Sequence, residues 1–118
     1  MILDQNIINI ISDFSSKSEH KNFYLYDMSV MGNKIKELQK ILPESVQIYY
    51  AMKANPHKKF LETAKNAGAK GIEIASIGEA KAAVEAGFSP SQIVFTGPGK
   101  TENELRWGVE NKIQKIHI

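Results

Sequence analysis

The stretch VQIYYAMKANPHKKFLETAKNAGAKGIEIAS, residues 46–76, decides how the chain is read. It opens on β-branched and aromatic residues, VQIYYAMK, which read as a strand ending at Lys53. Asn55 and Pro56 then predict a helix start, with Asn55 as N-cap and Pro56 at the first helical position. PHKKFLETAKNAG is that helix, Gly68 ends it, and GIEIAS is a second strand. Two strands joined by a helix of about ten residues or more form a right-handed crossover, so the strands are parallel.

Downstream the rhythm repeats. IGEAKAAVEAG is a helix closed by Gly87, QIVFTG a strand, TENELRWGVEN a helix and IQKIHI a strand. Upstream it breaks. Ile7, Ile10, Ile11 and Phe14 fall at helical spacing behind Asp4, a ready cap, and SSKSEHKN reads as a polar linker. FYLYD, Phe23 to Asp27, reads as an isolated strand. A second helix, from Asp27 or Ser29 to about Leu42, carries Val30, Ile35, Leu38 and Ile41 on one side and is stopped by Pro43. The expected division is a helix–strand–helix lead-in over residues 1–43 and four parallel strands with three intervening helices over residues 44–118.

This is an α/β pattern, and it reads as the N-terminal half of a (β/α)₈ TIM barrel. A whole barrel takes roughly 250 residues, so 118 residues are expected to be a fragment, inactive alone. No G-x-G-x-x-G follows the first strand, which disfavours a dinucleotide-binding domain. A net charge of +2 gives no basis for binding nucleic acid or an anionic membrane. IINIIS is far too short to span a bilayer, and a cytoplasmic protein is expected. Zero cysteines exclude disulfides and thiolate nucleophiles, and histidines at 20, 57 and 117 have no metal-ligand spacing.

Alternation along the strands nominates a site. Val46, Ile48, Tyr50 and Met52 form a large apolar face suited to packing beneath helices, which turns Gln47, Tyr49, Ala51 and Lys53 the other way. Lys53 is then expected to point into the barrel at the C-terminal end of its strand, where barrel enzymes keep their chemistry. On the next strand Glu73 and Ala75 share that inner surface. An inward carboxylate needs a partner, and Lys53 is the expected one. His117 faces inward with Lys115 but is given no role.

Structural roles compete for several of these residues. A lysine ending a strand is often simply solvated. Ser76 to Glu79 and Thr101 to Glu104 both match the capping box, which satisfies helix-start amides without chemistry. GPGKT, residues 97–101, resembles the tail of a phosphate-binding loop, but the first glycine of that motif falls at Val94 inside a strand, so a nucleoside triphosphatase is not expected.

Taken together, YYAMKAN, GIEIASIGEAKAAVEAGFSPSQIVFTGPGKTENELRWGV and the preceding FYLYD resemble, in order and spacing, the fold-type III pyridoxal-phosphate decarboxylases. That family includes diaminopimelate, ornithine and carboxynorspermidine decarboxylases. The likeness covers about residues 20–118, and the GPGKT region is most similar to siderophore-linked members. The resemblance implies that Lys53 binds pyridoxal phosphate covalently through its amine, that Ala51 is the small residue beneath the cofactor, and that Glu73 and Glu79 are acidic positions near it. Many relatives carry Asp where Glu73 stands. The resemblance further implies α-decarboxylation of a basic or diamino acid, a homodimer or self-associating fragment, and phosphate-binding loops on later strands. A racemase of the same fold and a non-catalytic binding module remain as alternatives. Lysine suits the task physically, because a deprotonated amine attacks an aldehyde and partial burial favours that form.

Overall fold

A computed structural model describes residues 4–19 and 22–118. His20 and part of the linker around it lie outside the described residues. The elements in order are helices α1 (Gln5–Lys17) and α2 (Met28–Ile41), strand β1 (Tyr49–Ala51), a 3₁₀ turn (Met52–Ala54), helix α3 (Lys58–Asn66), strand β2 (Gly71–Ile74), helix α4 (Ile77–Glu85), strand β3 (Ile93–Phe95), helix α5 (Glu102–Glu110) and strand β4 (Lys115–Ile116). The four strands form one parallel sheet in the order β1-β2-β3-β4. Each strand adds beside its predecessor, as a barrel wall is wound; an open doubly wound sheet would reverse direction at a switch point.

Register sets the two faces of this wall. Tyr50 pairs with Ile72 and Ile72 with Ile93, while Ile74 pairs with Phe95. Ile72, Ile74, Ile93 and Phe95 are fully buried, and with Met52, Leu61, Ala80, Ala83 and Phe88 they make the main core between sheet and helices. On the opposite face Ala51 pairs with Glu73, Glu73 with Val94 and Val94 with Lys115. The alternation expected for β2, apolar outward to the helices and Glu73 inward, is present.

Helices α3 and α4 are closed by glycines in the left-handed region, Gly68 at φ +97° and Gly87 at φ +94°. There a side chain would be strained, and the reversal lets the chain drop back to the next strand. Thr101 and Glu104 form the expected capping box at α5: the Thr101 hydroxyl accepts from the Glu104 amide at 3.3 Å, and Glu104 accepts from the Thr101 amide at 2.9 Å. That amide holds the Glu104 carboxyl below the usual range.

Several expectations are corrected. FYLYD is not a strand: residues 22–27 have no regular structure. A strand exists through its ladder, and among the described residues none pairs with this run. It is held instead by ring contacts, Phe14 against Phe23 with centroids 4.7 Å apart and Tyr26 edge-on to Phe60 at 5.1 Å. Helix α1 continues through Ser15 and Ser16 to Lys17, so the linker is shorter than its polarity suggests. Helix α3 starts at Lys58, with His57 as its cap. Asn55 Oδ1 accepts from the His57 amide at 3.0 Å, so Asn55 makes an Asx turn two residues early and Pro56 stays outside the helix.

The lead-in packs unequally. Ile35 of α2 is buried against Ala64, Ala67 and Ala69, with Met31 and Ile48 beside it. α1 buries no residue. The radius of gyration is accordingly 17.4 Å, against roughly 13.5 Å for a compact chain of this length.

Candidate functional site at the C-terminal end of the sheet

The candidate residues gather where β1, β2 and β3 end. Strand β1 stops at Ala51, two residues earlier than VQIYYAMK suggests, because Met52 turns into the core and is fully buried. Lys53 therefore rides on the 3₁₀ turn Met52–Ala54 and not on an extended strand, so strand alternation does not fix its direction. The turn is anchored on both sides. Met52 plugs it into the core, and the Tyr50 hydroxyl donates to the Asn55 carbonyl at 3.0 Å, tying the loop beyond Lys53 back to β1. Burial pushes the Tyr50 phenol up, so that donor stays protonated across the physiological range. Lys53 itself is exposed and makes no hydrogen bond or ion pair among the described residues.

Glu73 is held differently from expectation. Its partner is not Lys53: Glu73 Oε1 accepts from the Thr96 hydroxyl at 2.6 Å. Thr96 follows β3 directly and lies on the same face as Val94 and Glu73, one strand over. A lysine perched on a turn past the end of β1 is farther from Glu73 than a threonine on the adjoining strand. Alternation continued from Val94 would have found Thr96.

Glu79 takes a structural position. Ser76 Oγ accepts from the Glu79 amide at 3.2 Å, half of the expected box, but Glu79 Oε2 accepts from the Ala75 amide at 2.6 Å, one residue upstream of the cap. It thereby braces the loop between β2 and α4. Ala51 is the register partner of Glu73 and half-buried, leaving a shallow floor beside the carboxylate. Lys100 of GPGKT donates to the carbonyls of Gly97 and His117 and sits 5.0 Å from the Phe95 ring centroid. It pins the ends of β3 and β4 together.

At the other end of the same face the sheet is closed. Tyr49 lies over Gly71, its register partner, and its hydroxyl donates to Gln114 Oε1 at 2.7 Å, three strands away. A Cβ on Gly71 would stand 2.4 Å from the Tyr49 ring and 2.1 Å from the Gln92 carbonyl oxygen. The bare backbone of Gly71 is what lets the ring lie across the strands. The inner face thus has an aromatic floor at its N-terminal end and polar groups at its C-terminal end.

Residues 29–118 match the family described as pyridoxal-dependent decarboxylase, pyridoxal binding domain. The chain belongs to that family. Among relatives of the pyridoxal-dependent decarboxylases, it is 36% identical over 110 residues to the 2-[(L-alanin-3-ylcarbamoyl)methyl]-2-hydroxybutanedioate decarboxylase of Staphylococcus aureus, covering 92% of this chain and 27% of that one. It is 35% identical over 97 residues to the diaminopimelate decarboxylase of Campylobacter jejuni, covering 81% of this chain and 24% of the relative. The structure superimposes on diaminopimelate decarboxylase from Helicobacter pylori complexed with L-lysine with a TM-score of 0.71 and 32% identity, over 83% of this chain and 25% of that one. The chain therefore spans about a quarter of the length of its relatives, and its four strands are the N-terminal part of a (β/α)₈ barrel. Among the described residues no helix is long and apolar enough to cross a membrane.

The residues present fit the cofactor of that family, pyridoxal phosphate. They offer an exposed amine on the turn at the C-terminal end of β1, a small residue on the strand just before it, and a carboxylate on the next strand.

Proposed function

We propose that this chain supplies the lysine-bearing part of a pyridoxal-phosphate-dependent amino-acid decarboxylase, with Lys53 as the residue that bonds the cofactor. The observation that carries this is Lys53 on an anchored turn at the C-terminal end of β1, with its amine unpartnered, beside a face whose polar groups lie at that same end. When bound, the cofactor takes up the electron pair left as the substrate's bond from Cα to carboxylate breaks. This chain's own part is to hold and place. Lys53 would offer the amine that holds the cofactor. Ala51 leaves room beneath. Glu73 sets negative charge on the neighbouring strand, and Glu79 braces the β2–α4 loop that borders the site.

Substrate specificity is read as a primary amino acid with a basic or diamino side chain, in keeping with the name of the relative from C. jejuni; the relative from S. aureus is named instead for an alanine whose C3 bears an amide-linked hydroxybutanedioate. Residues 44–118 are proposed as the barrel part and residues 1–43 as a lead-in. A cytoplasmic homodimer is the proposed working state, supported by exposed Ile10, Phe14, Tyr24 and Val30; the outer edges of β1 and β4, unpaired among the described residues, are where the remaining strands of a barrel would join and, in this chain alone, favour self-association.

The test is carboxyl-labelled diaminopimelate, ornithine and lysine offered, with pyridoxal phosphate, to a full-length enzyme that carries this chain as its lysine-bearing part, the chain alone being expected to be inactive. Labelled CO₂ from one of them, lost in Lys53→Ala, is expected. Exchange of the Cα configuration without CO₂ would assign a racemase instead, and failure of the protein to bind the cofactor would leave a non-catalytic module.

A further inference from the structure

We propose that Thr96 is a positioning residue: its hydroxyl fixes the Glu73 carboxylate by one oxygen, so that the other is presented to the inner face where the cofactor binds. This rests on the reading of Lys53 as the cofactor lysine. A glutamate carries three rotatable bonds, and a half-exposed one sweeps a wide volume unless something holds it. Here Thr96 Oγ1 donates to Glu73 Oε1 at 2.6 Å, the short distance typical of a hydroxyl bonded to a charged acceptor. The donor is itself fixed. The Thr96 amide donates to the Ile74 carbonyl at 3.0 Å, locking its backbone to β2, and a β-branched side chain has few rotamers. Ile74 is fully buried, so the strand that carries both contacts is set by the core.

Glu73 Oε2 has no hydrogen-bond partner among the described residues, and no buried side-chain polar atom is left unsatisfied, so this oxygen faces open volume above the inner face. Ala51, the register partner of Glu73, keeps that volume clear on the side of Lys53. A carboxylate so pinned holds a cationic group or an N–H of the bound cofactor at one place, where a free glutamate would spread over many. Sequence pattern alone assigns Thr96 to the end of a strand; the contact gives it a task.

The experiment is a double-mutant cycle in a full-length enzyme that carries this chain, read by absorbance titration with pyridoxal 5′-phosphate. Losing a hydrogen bond to a charged group is expected to weaken cofactor binding about tenfold in Thr96→Val, with a shift in the absorbance maximum of the lysine-linked cofactor. Thr96→Ser, which keeps the hydroxyl, is expected to restore most of the affinity. Thr96→Val combined with Glu73→Gln is expected to bind no more weakly than Glu73→Gln alone, since Thr96 acts through that carboxylate. Thr96→Ala serves the same cycle should the valine variant not fold. Binding by Thr96→Val within about twofold of wild type, or effects that add in the double variant, would overturn the proposal. A full-length enzyme carrying the wild-type chain that shows no lysine-linked absorbance overturns the functional reading beneath it, which is a different result.

Discussion

The two faces of the β1–β4 sheet are made by the same strands and differ in nearly everything else. The helix-packed face is apolar and sealed: Ile72, Ile74, Ile93 and Phe95 are buried under helices α3 to α5. The inner face is half-open and graded, with Tyr49 spread over Gly71 at one end, then the row of Ala51, Glu73 and Val94, and beyond it Thr96, which bonds Glu73. A period of two residues is enough to separate them, so stability and chemistry are carried by neighbouring positions and should respond to substitution independently.

The largest expected effect lies on the sealed face. Phe95→Ala removes a fully buried ring at the centre of the main core and should cost about 3–5 kcal/mol by urea denaturation. A loss below about 1 kcal/mol would mean that the core is not packed as described. Gly71→Ala probes the inner face at its floor. The new methyl would meet the Gln92 carbonyl oxygen at 2.1 Å and the Tyr49 ring at 2.4 Å, and overpacking of this kind costs about 1–3 kcal/mol. An alanine tolerated without loss would show that Tyr49 does not lie across the strand.

Smaller effects come from the helix caps, outside both faces. Thr101→Ala should cost about 1 kcal/mol by removing the acceptor for the Glu104 amide. Glu104 adds a pH signature. Its folded carboxyl is depressed by the Thr101 amide, so its contribution is present above the unfolded value of about 4.3 and lost as pH falls through the lower folded value. Glu104→Gln should flatten the acid limb of the stability curve between about pH 5 and 3, measured by thermal melts. Unchanged curvature in that variant would remove the capping box as its cause.

Much of this was legible in the sequence, for identifiable reasons. Alternating apolar residues in GIEI, glycine at positions 68 and 87, and the cap at Thr101 act locally, and each predicts what the structure contains. What was not legible depends on distant partners. FYLYD has strand composition but no strand beside it among the described residues, and composition carries no information about a missing ladder. Strand β1 ends early because Met52 finds a place in the core, a decision made by packing across the sheet. The bond from Thr96 to Glu73 joins residues 23 apart in sequence and needed the register to be seen. The side chain of Glu79 reached one amide beyond the motif's usual target, which no spacing rule specifies.

The most direct measurement is reductive trapping. A full-length enzyme that carries this chain is incubated with pyridoxal 5′-phosphate at limiting concentration, reduced with borohydride, digested and mapped by mass spectrometry. Lys53 lies on an anchored turn at the open, C-terminal end of the inner face, beside Ala51 and Glu73, so the modification should fall on Lys53 well ahead of every other lysine. Label concentrated on another lysine, or spread across the exposed lysines without preference, would contradict the account.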